Sequence, residues 1–125
     1  MSTNFTKKDT YAFNGAGSAY PVVPSLSFKM NDTGLLSGKV INYGRENYYP
    51  TPVTGNDLFF KIQDSADGVA WADVTLNGTV NFQVKPKGEV NFFGNVRQYW
   101  RVLAYGNAEG EMEVGIDETL DLVKI

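Results

Sequence analysis

The strongest constraint on the fold of this chain is a short-range alternation of apolar and polar residues in its second half. Leu58, Phe60 and Ile62 are separated by single residues that include Lys61. Successive side chains of a β-strand point to opposite faces, so this period of two predicts a strand with one buried face. The same period recurs in three later segments: 80–85, 97–105 and 111–117.

Turn sequences separate these segments. They are Ser-Ala-Asp-Gly at 65–68, Asn-Gly at 77–78, Pro-Lys-Gly at 86–88 and Asn-Ala-Glu-Gly at 107–110. Turn signals spaced by about 8–12 residues are typical of an all-β sandwich or barrel. No stretch of the sequence keeps a helical period over three turns. A chain of 125 residues is also long enough to bury a core without disulfides. The sequence therefore predicts one antiparallel β-sandwich, either jelly-roll or Ig-like.

The first 34 residues differ from the rest of the chain. They are polar and rich in Gly, Ser and Asn, with Pro21 and Pro24 excluding a helix and a central strand. We expect an extended N-terminal arm or edge segment over 1–34, and the sandwich domain over 35–125. Single aromatic residues would tie this arm down: Phe5, Tyr11, Phe13 and Tyr20.

A long segment over 42–56 is punctuated by Pro, Gly and Asn and carries Tyr43, Tyr48 and Tyr49. Loops of this length are often functional, and tyrosine is enriched at protein interfaces. The three tyrosines are therefore candidate contact residues. The alternative, that they cap one end of the sandwich, stays open.

Two side chains that are common in catalytic sites are missing, although carboxylate, Lys and Tyr chemistry stays open. The chain has no His and no Cys, which removes the usual general base, the commonest metal ligand and every Cys or Ser–His nucleophile. We expect no enzyme activity, no cofactor and no metal. We expect the four aspartates of 57–73 to be solvated at turns or strand ends, and Trp71 and Trp100 to lie in the core.

Charge and hydropathy restrict the partners. The net charge is -3, and the close basic pairs are Lys7–Lys8 and Lys85/Lys87, so a nucleic-acid partner is not expected. No window approaches the roughly 20 apolar residues of a membrane-spanning helix. The N-terminal residues show no export signal, so we expect synthesis in the cytoplasm.

Two segments of the sequence together resemble a known group of proteins. They are the run Leu-Phe-Phe-Lys-Ile-Gln-Asp-Ser-Ala-Asp-Gly-Val-Ala-Trp-Ala-Asp-Val at 58–74 and the run Tyr-Trp-Arg-Val at 99–102. Over 57–117 this resembles small β-sandwich proteins of tailed bacteriophages, which include capsid decoration, or cement, proteins.

The resemblance implies a non-enzymatic virion protein on the capsid surface, made in the host cytoplasm. Such a protein would bind the major capsid protein and copies of itself, stabilising the head as a homo-oligomer. The contact residues would be Phe5, Tyr11, Phe13 and Tyr20 in the arm and Tyr43, Arg45, Tyr48 and Tyr49 in the loop.

Two alternatives remain. The phrase Ser-x-Asp-Gly-x-x-Trp with Tyr-x-Arg is also similar to discoidin-type carbohydrate or lipid binders, although this chain is shorter and lacks the cysteines many of them carry. A carbohydrate-binding module, with a glycan as partner, is therefore one alternative. A structural protein of a phage tail or neck is the other.

Overall fold

The computed structural model describes residues 5–15, 24–44, 57–106 and 108–125, without the side chains of Phe5, Lys7 and Lys8. Within these residues the chain forms ten β-strands and no helix. The strands are β1 (Phe5–Asn14), β2 (Leu26–Met30), β3 (Gly34–Asn42), β4 (Leu58–Ser65), β5 (Ala72–Asp73), β6 (Phe82–Val84), β7 (Glu89–Val96), β8 (Tyr99–Tyr105), β9 (Glu109–Asp117) and β10 (Leu122–Lys124).

The strands form two antiparallel sheets. The four-stranded sheet has the order β1-β9-β3-β7. The six-stranded sheet has the order β10-β2-β8-β4-β5, and β6 also pairs with β4. The predicted all-β sandwich is confirmed.

The pairing of the strands is nested. β1 pairs with β9, β2 with β8, β3 with β7 and β4 with β6, as if one long hairpin were folded around the β4–β6 connection. The contacts β3·β9 and β4·β8 then join these pairs into the two sheets. This rolled hairpin is the jelly-roll arrangement, so of the two predicted sandwich types the strand order selects the jelly roll.

The core lies between the sheets and is built from the inward residues of each strand. Trp100, Phe28, Phe60 and Phe92 are its largest buried side chains, and the Phe28 and Trp100 rings stack with centroids 4.3 Å apart. Burial of one such side chain stabilises the fold by roughly 1.5–3 kcal/mol. Gly38 leaves room for Phe92, because a Cβ at this position would lie 2.1 Å from the Phe92 ring.

The N-terminal third differs from the expected arm. β1 is an edge strand paired with β9, which agrees with an edge segment. β2, however, lies between β10 and β8 and buries Leu26, Phe28 and Met30. The division at residue 34 is therefore wrong for β2. Pro24 precedes β2 and so removes no hydrogen bond from its ladder. Residues 1–4 and 16–23 lie outside the described part.

The predicted turns are largely confirmed. Gly68 has a φ of 80°, and Asn77 and Gly78 have φ values of 53° and 74° between the paired residues Leu76 and Thr79. The expected turn at 107–110 is shorter, since β9 already begins at Glu109 and Asn107 is not described. These conformations suit Gly and Asn because positive φ is strained for most other residues.

Candidate functional site

Of the predicted contact residues of the N-terminal segment, the two whose side chains are described pack in or against the core. Phe13 is 6% exposed in the core, so its prediction as a surface contact is wrong. Tyr11 is half-buried, and its ring meets the Phe28 ring edge-on with the ring centroids 4.9 Å apart. Burial raises the pKa of Tyr11, and the negative charge of Asp9 raises it further. The side chain of Phe5 and the whole of Tyr20 lie outside the described residues.

The predicted loop is described only at its first residues. The hydroxyl of Tyr43 donates a hydrogen bond to Glu111 Oε2 at 3.0 Å, and its backbone N–H donates to the Glu109 carbonyl at 3.0 Å. Tyr43 is thus tied to the outward side of β9, whereas Tyr11 packs on the inward side of the same sheet. The structure does not join these two residues into one patch. Arg45, Tyr48 and Tyr49 lie outside the described residues.

The outward side of the four-stranded sheet carries a row of carboxylates. We define the acidic face by five carboxylate residues and one lysine among the side chains that the structure describes: Glu89, Glu109, Glu111, Glu113, Asp117 and Lys39. Its β9 members alternate with buried core residues, and Lys39 Nζ lies 3.4 Å from Glu89 Oε2. An open depression of about 460 Å³ crosses this face beside Phe93, which is 44% exposed. Small residues, Ser37 and Gly115, are among those lining it.

The outward side of the six-stranded sheet is different in chemistry. The cation–aromatic face is defined by eight side chains: Lys29, Phe59, Lys61, Gln63, Trp71, Tyr99, Arg101 and Tyr105. The β4 and β8 members alternate with buried core residues. Lys29 Nζ lies 5.4 Å from the Tyr99 ring centroid, and Phe59 and Tyr105 stack at 4.9 Å.

Arg101 lies at the centre of the cation–aromatic face. Its Cζ lies 4.1 Å from the Trp71 ring centroid, which is a cation–π contact. Its Nε and Nη2 donate to Gln63 Oε1 at 3.0 and 2.8 Å, and Gln63 Nε2 donates to Asp73 Oδ1 at 2.9 Å. Burial lowers the pKa of Arg101. The guanidinium is therefore partly desolvated while its direct partners are neutral groups.

A turn motif positions Trp71 on this arginine. Ser65 Oγ donates to Asp67 Oδ1, which in turn accepts hydrogen bonds from the N–H groups of Val69 and Ala70. The hydrogen bonds from Val69 and Ala70 have the largest effect, and together with that from Ser65 they lower the pKa of Asp67 to about 2. The Ser-x-Asp-Gly-x-x-Trp phrase thus folds as a self-bonded turn that ends with Trp71 on the outward side.

Two sequence predictions require correction here. Trp71 is half-buried on the outward face, whereas Trp100 lies in the core as predicted. Asp64 is only 8% exposed, because it accepts hydrogen bonds from Arg97 Nε at 3.0 Å and Nη2 at 2.8 Å. The alternation in β8 signals that Arg101 faces outward, but its position over Trp71 has no local signal.

The described residues offer neither a clustered metal site nor a membrane-spanning helix. They contain no group of three or more His, Cys, Asp or Glu that could hold a metal ion. In the same residues, no helix is long and apolar enough to cross a membrane.

No protein-family model matches the sequence, and no curated protein matches it. Solved structures do resemble it. A chain of the empty virus-like particle of Cowpea mosaic virus, studied by electron cryo-microscopy, has a TM-score of 0.50 and 9% identity over 100% of this chain and 86% of that one. A chain of the acid-stable capsid of Helicobacter pylori bacteriophage KHP30 has a TM-score of 0.41 and 7% identity over 99% and 98%. The first likeness, together with the strand order, defines the class: a jelly-roll β-sandwich with the fold of a virus-particle chain.

Proposed function

We propose that this chain is a non-enzymatic structural protein of a virus particle. The specific role that we propose is that of a decoration or cement protein, which binds the major capsid protein lattice of a tailed-bacteriophage head. The observation that supports this most is the fold shared over the full length of the chain with a virus-like-particle chain. The sequence resemblance of residues 57–117 to phage decoration proteins points in the same direction.

The protein would act by reinforcing the capsid shell mechanically. A rigid sandwich bridges neighbouring capsid subunits, and its loops and edge residues form the contacts. Many copies on one shell offset the weakness of each single contact. The proposed contact residues, without Phe13, are Phe5, Tyr11, Tyr20, Tyr43, Arg45, Tyr48 and Tyr49.

Binding to capsids tests this function. The purified protein is mixed with mature and expanded capsids of the virus that encodes it, and the capsids are sedimented. We expect co-sedimentation of the wild-type protein. A Tyr48→Ser/Tyr49→Ser variant should bind at least about tenfold more weakly, because tyrosine is enriched among the few interface residues that each contribute about 2 kcal/mol or more.

A matched control separates binding from folding. Val69→Ser removes an exposed side chain (80% exposed) from a turn remote in sequence from the loop and should leave both binding and thermal unfolding unchanged. Deleting the N-terminal residues is not a suitable test, because β1 and β2 are strands of the two sheets. A wild-type protein that stays in the supernatant with both capsid forms would contradict the proposal.

The same preparation separates the alternatives. Sedimentation with purified tails but not with capsids would support a tail or neck protein. Hits on a glycan array that Trp71→Ala abolishes would support a carbohydrate-binding module, since sugars stack on exposed aromatic rings.

A further inference from the structure

Three dipeptides of the sequence share one chemical weakness. Asn-Gly occurs at 14–15 and at 77–78, and Asp-Gly occurs at 67–68. Because Gly has no Cβ, its backbone nitrogen can reach the side-chain carbonyl carbon of the preceding Asn or Asp and close a succinimide ring. In a folded protein this requires a Gly N–H that is free to react and a chain that can open locally. The structure separates the three dipeptides on these points.

The Asn-Gly pair at 14–15 is held closed at the end of β1. The Gly15 N–H donates a hydrogen bond to the Ala108 carbonyl at 2.8 Å, and Asn14 is paired with Glu109 of β9. Gly15 is buried, and a Cβ added to it would lie 2.1 Å from the Gly106 carbonyl oxygen. The Gly15 nitrogen can therefore attack only after this end of β1 has separated from its neighbours.

The Asp-Gly pair at 67–68 is protected by its own turn. The Gly68 N–H donates a hydrogen bond to Ser65 Oγ at 2.9 Å. The hydrogen bonds that Asp67 accepts from Val69, Ala70 and Ser65 keep its pKa at about 2. An ionised carboxylate resists attack by nitrogen, because it carries negative charge and offers no leaving group. This pair is therefore unreactive at neutral pH.

The Asn-Gly pair at 77–78 forms the tip of a two-residue hairpin turn. Leu76 and Thr79 exchange backbone hydrogen bonds of 2.9 and 3.0 Å, and both residues between them have positive φ, as this turn requires. Asn77 and Gly78 are exposed, and a Cβ added to Gly78 would have nothing within 4 Å. Among the described residues, the Gly78 N–H and the Asn77 side-chain amide have no hydrogen-bond partner. Both reacting groups therefore lie open at the surface.

We propose that Asn77 is a deamidation site of the folded protein, and that its isoaspartyl product opens the 76–79 turn. The Gly78 nitrogen attacks Asn77 Cγ, so that a new N–Cγ bond replaces the Cγ–Nδ2 bond. Ammonia leaves and takes the proton of the Gly78 amide. Water then opens the ring at either of its carbonyls and gives aspartate or isoaspartate. This chemistry does not depend on the proposed role in a virus particle.

The two products differ in their effect on the turn. Isoaspartate adds one backbone atom to the two-residue loop, so Leu76 and Thr79 can no longer exchange both hydrogen bonds. Leu76 is fully buried and packs on Gly94 of β7, where a Cβ would lie 2.6 Å from Leu76 Cδ2. Loosening the turn therefore loosens a core contact. Aspartate keeps the normal backbone, and either product adds a carboxylate to the depression that Asn77 lines.

The two Asn-Gly pairs can be compared within one sample. Folded wild-type protein is incubated at mildly alkaline pH, which promotes ionisation of the attacking amide, and both peptides are analysed by chromatography and mass spectrometry. We expect deamidation at Asn77 to be at least about tenfold faster than at Asn14, because Gly15 reacts only from a locally open state. In denaturant both pairs are exposed, so the two rates should approach each other.

Two variants complete the test. Asn77→Gly keeps a residue that accepts positive φ, so it should fold like the wild type and form no isoaspartate in the turn. Asn77→Asp has the charge of the isoaspartyl protein but a normal backbone, so the isoaspartyl protein, isolated by chromatography, should unfold at a lower temperature than this variant.

Two rate results would overturn the deamidation site. In one, Asn14 reacts as fast as Asn77 in the folded protein. In the other, Asn77 stays intact in the folded protein while both residues react in denaturant. Equal unfolding temperatures of the isoaspartyl protein and the Asn77→Asp variant would overturn the proposed opening of the turn.

Discussion

The two outward faces of this protein are built on the same core but differ in chemistry. β9 directs Glu109, Glu111 and Glu113 outward from the four-stranded sheet, while β8 directs Tyr99 and Arg101 outward from the six-stranded sheet. Inward, both strands present buried apolar side chains of similar kind. The alternation thus specifies the fold through its inward residues and leaves the outward residues free to differ between the two faces.

The largest expected effect is loss of the core that both faces share. Phe28→Ala removes a ring that contacts Tyr11 and Trp100, and should lower the free energy of unfolding by about 3–5 kcal/mol. Chemical denaturation followed by fluorescence measures it. Val123→Ala, at a side chain 60% exposed, should change stability by less than about 0.5 kcal/mol. Equal effects of the two substitutions would contradict the assigned core.

The second effect concerns the partly buried ion pair between Asp64, at the end of β4, and Arg97, between β7 and β8. Asp64→Ala leaves Arg97 without its carboxylate. It should destabilise the fold less than Phe28→Ala and less than the loss of a fully buried pair would, because the Arg97 side chain is 42% exposed. Thermal unfolding measures this. Glu118→Ala, at an exposed turn position, is the control. A change no larger than that of the control would show that Asp64 is solvated after all.

The third effect sharpens the contrast between the faces. Arg101→Ala uncovers Trp71 and removes the cation–π contact, which should cost about 0.5–1 kcal/mol. Acrylamide should then quench tryptophan fluorescence more strongly, because Trp100 stays buried and Trp71 becomes accessible. Lys39→Ala on the acidic face should leave quenching unchanged. Unchanged quenching in Arg101→Ala would mean that Arg101 does not cover Trp71 in solution.

The smallest effect is the pH dependence of the 65–70 turn. The pKa of Asp67 is about 2, below its ordinary value of 3.8, so its contribution to stability is present above pH 3.8 and is lost as the pH falls towards 2. Asp67→Asn should therefore lower stability at neutral pH and flatten the decline between these two pH values. Unfolding midpoints across this window measure it. An unchanged slope in the variant would assign the acid sensitivity to other carboxylates.

Part of the candidate site could be read from the sequence and part could not. The period of two in 97–105 predicts that Arg101 faces opposite to Trp100. The position of Trp71 over Arg101 joins residues thirty positions apart, and the burial of Asp64 depends on Arg97 in the connection between β7 and β8. Neither contact can be predicted from the residues that are its neighbours in sequence.

The sequence by itself determined the all-β class, most turns and the buried sides of β4, β8 and β9, because alternation and turn chemistry act between neighbours in the chain. Only the tertiary structure decided that β1 pairs with β9, that β2 lies between β10 and β8, and that the sandwich is a jelly roll. Strand pairing is a contact between distant segments, and many partners satisfy the same alternation. The polar N-terminal third resembles an arm in sequence, yet it completes both sheets because the nested pairing requires its two strands.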